Sequence, residues 1–200
     1  ISMGVNKMSR FKDKIIGGFD LLFLFSRGME KFSGSKNEVQ ISLLAQLVLL
    51  PPSLAFSYFY PPKGMETGYS HIQIVATCLA QFIVTFFLSN IAVWAIARSL
   101  NKRDKFWLYF SASNWVAIPF FIVMIPFMLV AVFGIIPREE MDRIFVLFSC
   151  YSYVITACIV WRAFRINWQL AGLISIITLF VNQTFGYHLL FKLQNIPIVW

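Results

Sequence analysis

The sequence predicts an all-α polytopic membrane helix bundle with five transmembrane helices, preceded by an amphipathic interfacial helix. Hydrophobic residues make up 58% of the 200 residues and charged residues only 13%, against about 25% charged residues in soluble domains. Mean hydropathy is +0.71. None of the Lys, Arg, Asp or Glu residues falls within five apolar windows, each of roughly the 20 residues that cross a hydrocarbon core. Because charge is costly at the bilayer centre, these windows are predicted spans.

Residues 1–40 are predicted to form a cytoplasmic segment whose amphipathic helix covers residues 10–32. The apolar face of this helix is expected to contain large hydrophobic side chains: Phe11, Ile15, Phe19, Leu22, Phe23 and Met29. Charged residues such as Asp20 lie opposite, so the helix suits the headgroup boundary and is too polar to span. The alternative is that it packs on a soluble partner or on the protein's own cytoplasmic face. Adjacent Gly17 and Gly18 predict a kink.

The transmembrane domain is predicted to occupy residues 41–200. Its five spans cover about residues 41–60, 72–97, 114–136, 144–161 and 168–191. Pro51 and Pro52, in the middle of the first span, are expected to kink or break the helix. Short connections after the third and fourth spans indicate antiparallel neighbours, which predicts a two-span unit followed by a three-span unit.

The distribution of basic residues predicts the orientation of the chain. With five spans, the amino-terminal segment and the connections after spans two and four share one side and hold 13 of the 17 Lys and Arg residues. The positive-inside rule then places the amino terminus in the cytoplasm and the carboxyl terminus on the opposite side. The net charge of +8 is therefore attributed to the membrane surface, and no nucleic-acid partner is expected.

The densest basic cluster lies between spans two and three, directly before an aromatic segment. We expect this stretch to form a lipid or partner interface, with the aromatic side chains as an interfacial belt. The predicted interface residues are Arg98, Lys102, Arg103, Lys105, Trp107 and Trp115.

Polar side chains inside the predicted spans are interpreted as helix–helix hydrogen-bonding groups, with a small solute cavity as the alternative. The residues concerned are Gln81, Asn90, Asn182, Gln183 and Thr184. No acidic residue lies within a predicted span, which argues against ion-driven transport because such carriers generally need a buried ionisable relay.

Two histidines are the remaining candidates for chemistry. His71 and His188 lie near the same predicted face of the membrane, and two histidines can ligate a haem iron. The alternative is that both are hydrogen-bonded interfacial aromatics with no metal role. The three cysteines show no metal-ligand spacing, and the sequence contains no nucleophile elbow or phosphate-binding loop. We therefore expect no enzyme activity, no cofactor and no metal.

Three segments resemble the Yip family of five-span membrane proteins, especially bacterial Yip-like inner-membrane proteins of unassigned function. They are WAIARSLNKRDKFW at residues 94–107, YFSASNW at residues 109–115, and the final hairpin at residues 144–190. The resemblance covers roughly residues 39–190 and implies the five-span topology, a bacterial inner membrane or an organelle membrane, and a partner-binding role. It implies no functional residues.

These observations together predict a non-enzymatic multi-pass protein that binds membrane lipids or other membrane proteins, as a scaffold or membrane organiser in a hetero-complex or homo-oligomer. One alternative is an accessory subunit of a larger membrane complex such as a respiratory assembly. A small transporter or facilitator is the other; the odd number of spans and the lack of an internal repeat disfavour it.

Overall fold

The computed structural model describes the backbone of residues 2–62, 65 and 68–194, and the side chains of residues 11–184 within those ranges. These residues form six α-helices and two 3₁₀ segments, with no strand among them, which confirms the all-α class. The helices are α1 (Ser2–Leu22), α2 (Lys36–Phe59), α3 (His71–Ser99), α4 (Phe106–Val132), α5 (Arg138–Phe164) and α6 (Trp168–Gln194). The 3₁₀ segments, Ser26–Lys31 and Arg103–Lys105, precede α2 and α4.

The five long helices pack in the cyclic order α2, α4, α5, α6, α3. Helix α3 therefore packs against α6, and α2 packs against α4, across the predicted boundary between a two-span and a three-span unit. That predicted division is wrong, because both early helices find their main neighbours among the late ones. Helix α1 lies against α4, with further contacts to α5 and to the 3₁₀ segment that follows it.

Four helices among the described residues are long and apolar enough to cross a bilayer, namely Lys36–Phe59, His71–Ser99, Arg103–Val132 and Arg138–Phe164. Their outer surfaces expose large hydrophobic side chains such as Leu47, Val48, Phe87 and Leu147. An outward apolar surface of this kind is consistent with an integral membrane protein. The predicted fifth span corresponds to α6, whose side chains beyond residue 184 lie outside the described part of the chain, so the five-span count stays a prediction.

Helix α2 begins at Lys36, before the predicted start at residue 41, and therefore includes Glu38. The Ser35 side chain caps the helix by accepting a hydrogen bond from the Glu38 amide. Glu38 is buried although it is acidic. The predicted spans themselves contain no acidic residue. The helices are longer than those spans, however, and their first turns include acidic residues, Glu38 in α2 and Glu139 in α5. Helix α2 also continues through Pro51 and Pro52 without a break.

Helix α4 begins at Phe106, so the predicted aromatic belt forms the first turns of a helix. Most of its aromatic side chains are buried and pack inside the bundle. The Tyr109 ring lies 5.8 Å from the ring of Phe164 in α5, which shows that the α3–α4 and α5–α6 connections lie at the same end of the bundle. We call this end the basic end, because the two connections there, with the adjoining helix ends, carry Arg98, Lys102, Arg103, Lys105 and Arg165.

The predicted amphipathic helix at residues 10–32 is two elements. Helix α1 ends at Leu22, the chain reverses through Leu24 with a positive φ of 61°, and the 3₁₀ segment Ser26–Lys31 folds back along α1. The glycine pair is continuous helix and does not end it. Asp20, predicted on the solvent-facing side, is buried. The reason is that the 3₁₀ segment brings cations back onto this face of α1.

Candidate functional site

The most elaborate polar site joins α1, α2 and α4 at the basic end, centred on the carboxylate of Glu38. This carboxylate accepts hydrogen bonds from the Ser33 amide (2.9 Å), the Ser33 hydroxyl (2.6 Å) and the Ser111 hydroxyl (3.0 Å). The ammonium of Lys14 lies 2.9 Å from it and also donates to the Lys31 carbonyl. We call Lys14, Ser33, Glu38 and Ser111 the Glu38 cluster.

The donors of the Glu38 cluster come from three different parts of the fold. Lys14 is on α1, Ser33 precedes α2, and Ser111 is on α4. A carboxylate offers about four lone-pair positions, and these four contacts use them, so the group is suited to hold three segments of the chain together. A buried charge is tolerated when it is paired and hydrogen-bonded in this way.

Hydrogen bonds between α2 and α4 continue from the Glu38 cluster towards the bundle interior. The Asn114 side chain donates to the Ser42 hydroxyl at 3.1 Å and accepts a hydrogen bond from Nε2 of the Gln46 side chain at 3.2 Å. Glu38, Ser42 and Gln46 are spaced four residues apart and so share one face of α2. Polar groups of this kind join helices in an apolar surrounding.

Helix α1 packs closely on α4 beside the same site. A Cβ added to Gly18 would lie 3.0 Å from the Trp115 carbonyl oxygen and 3.1 Å from Pro119 Cγ, so glycine permits the close approach of the two backbones. The ring of Phe11 meets the indole of Trp115 edge to face at 5.1 Å. A cavity of about 620 Å³, lined in part by Asn37 and Ile41, lies next to these rings.

A second buried carboxylate fastens the 3₁₀ segment to α1. Asp20 lies 2.9 Å from the guanidinium of Arg27 and 3.4 Å from the ammonium of Lys31. Gly28 allows this fold-back, because a Cβ there would lie 2.8 Å from the Gly17 carbonyl oxygen. The amino-terminal region is therefore a docked part of the bundle over its described residues.

The predicted interface residues fall into two groups. Arg98, Arg103 and Lys105 are exposed at the basic end and Lys102 is partly exposed. The guanidinium groups of Arg98 and Arg103 lie 5.6 and 5.8 Å from the ring centre of Trp94.

The two predicted interface tryptophans differ. Trp107 is 47% exposed and remains at the surface, whereas Trp115 is only 1% exposed. Trp115 is therefore corrected from a surface residue to a core residue, because helix α1 and its Phe11 ring cover the indole.

The predicted intramembrane polar residues are only partly brought together. The Ser89 hydroxyl donates to Asn182 Oδ1 at 2.5 Å and joins α3 to α6. Asn90 instead donates to the Phe86 carbonyl of its own helix. Gln183 is exposed, whereas Gln81 and Thr184 are partly buried.

The two histidines are not shown together. The His71 ring stacks on Tyr58 with ring centres 4.3 Å apart. The side chain of His188 lies outside the described residues. Within the described part of the chain, no group of three His, Cys, Asp or Glu residues is arranged to hold a metal.

The Glu38 cluster was missed at the level of sequence, although two signals for it exist. Ser35 and Glu38 have the Ser-x-x-Glu spacing of a capping box, which places a helix start before residue 38. The four-residue spacing of Glu38, Ser42 and Gln46 then marks a polar face. Lys14 and Ser111 could not be assigned to this face, because nothing local connects residues so far apart in the chain.

An all-helical bundle with apolar outer surfaces and internal polar links between helices defines a polytopic helical membrane protein. The model of the Yip1 domain family matches residues 19–190, and the chain belongs to this family. The predicted resemblance is confirmed at this level. Searches of curated proteins and of solved structures found no match.

Proposed function

We propose that the chain is a non-enzymatic multi-pass membrane protein that acts by binding lipids and other membrane proteins at its basic end. In this proposal the basic end faces the cytoplasm, five helices span a bacterial inner membrane or an organelle membrane, and the carboxyl terminus lies opposite. The role is that of a membrane organiser or scaffold, alone or in a hetero-complex.

The observation that carries the proposal is the exposed positive charge of the α3–α4 connection. Four cations lie within residues 98–105, and the one acid there, Asp104, pairs with Lys105 at 3.2 Å on the exposed surface. Such a pair neutralises little in water. An anionic membrane surface attracts each nearby Lys or Arg by about 1 kcal/mol. A cluster with this charge balance favours acidic headgroups or an acidic partner.

The aromatic side chains of the amino-terminal region support a membrane-facing role for the same end. Phe11, Phe23 and Phe25 are exposed, and the last two rings lie 6.4 Å apart. Exposed aromatic residues beside a basic surface suit the boundary between headgroups and acyl chains. Because α1 is packed against the bundle, these rings would be held at a constant depth in the bilayer.

The proposal is tested by the lipid that co-purifies with the protein. Arg103→Gln and Arg143→Gln each remove one exposed positive charge, at opposite ends of the bundle. After mild extraction from mixed phosphatidylglycerol and phosphatidylcholine membranes, Arg103→Gln should lower the ratio of anionic to zwitterionic lipid and Arg143→Gln should not.

The combined variant Lys102→Gln, Arg103→Gln, Lys105→Gln should lower that ratio further, and high salt should reproduce its effect on the wild type. An unchanged ratio in the combined variant would reject the basic end as the lipid-binding surface.

A further inference from the structure

A groove of about 800 Å³ runs between α5 and α6 on the outside of the bundle. Its walls are almost entirely apolar and include Val154, Ala157, Cys158 and Ile176. Val154 and Ile176 are exposed on the surface beside it. Helix α5 is one of the helices able to cross a bilayer, so this groove opens towards lipid. Its volume is in the range of small-molecule sites.

The groove contains unfilled space next to Gly172. Gly172 of α6 lines it, and a Cβ added there would meet no heavy atom within 4 Å. By contrast, Cβ atoms added to Gly18 or Gly28 would meet backbone atoms at 3.0 Å or less. Gly172 therefore does not serve close helix packing, and the space above it is wide enough for another group.

Positive charge and tryptophan side chains surround the end of the groove at the basic end. Arg162 lines the groove. Arg165 is not among the lining residues, but it is exposed three residues further along, at the end of α5. Trp161 and Trp168 also line the groove and are exposed. Tryptophan at this position is typical of the headgroup level of a bilayer.

The charge of Arg162 is held in place without being neutralised. Its guanidinium donates to the carbonyl oxygens of Leu24 at 2.7 Å and Phe25 at 2.9 Å. These oxygens are neutral, and none of the ion pairs within the described side chains involves Arg162. A guanidinium has five N–H donors, so donors remain for an anion. Leu24 also lines the groove.

We propose that this groove binds one anionic phospholipid, with an acyl chain between α5 and α6 and the phosphate at Arg162 and Arg165. The apolar walls match the chain, the two arginines match the negative headgroup, and basic pockets between membrane helices favour such lipids. The site deepens the proposed lipid-binding function and rests on it. The α3–α4 connection is expected to attract anionic lipids in general, whereas the groove would bind one lipid molecule at a defined position.

The test is native mass spectrometry of the full chain released from nanodiscs of phosphatidylglycerol or phosphatidylcholine. The wild type should retain one phosphatidylglycerol and retain phosphatidylcholine about tenfold less. Both lipids carry the phosphate, but the choline cation cancels the net charge of the phosphatidylcholine headgroup and weakens its attraction to two arginines. Gly172→Leu should fill the groove and lower retention of both lipids about tenfold. It should fold, because leucine has room there and favours helix.

Leu173→Phe is the matched control, because Leu173 is exposed on the same helix and is not among the residues that line the groove. It should leave lipid retention unchanged. Arg165→Gln should reduce the preference for phosphatidylglycerol without displacing the chain, and it leaves the Arg162 contacts intact.

Unchanged retention of phosphatidylglycerol in Gly172→Leu would overturn the groove site. The groove site would also be overturned if the wild type were a dimer and Gly172→Leu were a monomer that retained lipid normally. That result would show that a second copy of the chain occupies the groove. The basic-cluster variants separate this site from the broader function. If the groove fails but Lys102→Gln, Arg103→Gln, Lys105→Gln still lowers lipid enrichment, only the groove is rejected.

Discussion

The carboxylate of Glu38 lies 2.9 Å from the ammonium of Lys14, and the two side chains are only 10% and 18% exposed. This pair connects α1 to α2 at a site where most of the surface of both side chains is covered by protein. Removing one partner of a fully buried pair costs about 3–5 kcal/mol. Because the lysine keeps some exposure, Glu38→Gln is expected to lower the free energy of unfolding by about 2 kcal/mol.

Denaturant titration in detergent, followed by tryptophan fluorescence, measures this change. Combining Lys14→Met with Glu38→Gln should lower the free energy of unfolding by less than the sum of the two single changes, because the double variant leaves no unpaired buried charge. Glu140→Gln, at an exposed position of α5, is the control and should alter stability by less than about 0.5 kcal/mol. Additive single effects would contradict a direct ion pair.

Gly28 is predicted to be required for the fold-back of the 3₁₀ segment on α1. In Gly28→Ala the new Cβ would lie 2.8 Å from the Gly17 carbonyl oxygen and 2.9 Å from the Leu21 amide nitrogen. Both are backbone atoms and cannot rotate away, so a cost of about 1–3 kcal/mol is expected.

Hydrogen–deuterium exchange of the backbone amides in residues 26–32 should rise in Gly28→Ala. Gly172→Ala is the matched control, because its Cβ has open space and alanine stabilises a helix by about 0.5–1 kcal/mol over glycine. Equal exchange in both variants would show that the 3₁₀ segment is not held by this contact.

Asn114 is predicted to couple α2 to α4. Its side chain bonds Ser42 and Gln46, so Asn114→Ala removes two hydrogen bonds between α2 and α4. A double-mutant cycle of Asn114→Ala and Ser42→Ala should give a coupling energy of about 0.6–2 kcal/mol. Ser149→Ala serves as control, since this exposed serine bonds only its own helix, at the Phe145 carbonyl. A coupling near zero would contradict the interhelical bond.

Hydropathy was sufficient to predict the helical class, because apolar windows overlap α2 to α6. It could not predict the cyclic helix order, since pairing between membrane helices depends on packing and hydrogen bonds rather than on hydrophobicity. Trp115 shows the same limit. In the sequence, an interfacial tryptophan and a buried tryptophan near the end of a span look the same. Trp115 is buried only because α1 docks over it, and the sequence around Trp115 does not indicate this contact.

Candidate-site residues were predictable where the signal is local and exposed. The basic cluster at residues 98–105 is visible as consecutive charges. The Glu38 cluster requires a contact between Glu38 and Ser111, which are 73 positions apart. The Arg162 contacts to Leu24 and Phe25 likewise depend on the reversal of the chain after α1. The residue pattern of α5 and that of the turn after α1 do not predict that these two segments are in contact.

The orientation of the bundle gives a prediction that depends on no partner. Asp104 and Glu139 are both exposed acidic residues, one at the basic end and one at the start of α5. Each can be replaced by cysteine in a chain in which Cys78, Cys150 and Cys158 are alanine. Because basic segments are retained in the cytoplasm, an impermeant maleimide should label Glu139→Cys on intact cells. It should label Asp104→Cys only after permeabilisation. The opposite pattern would invert the bundle and remove the cytoplasmic leaflet as the source of lipid for the basic end.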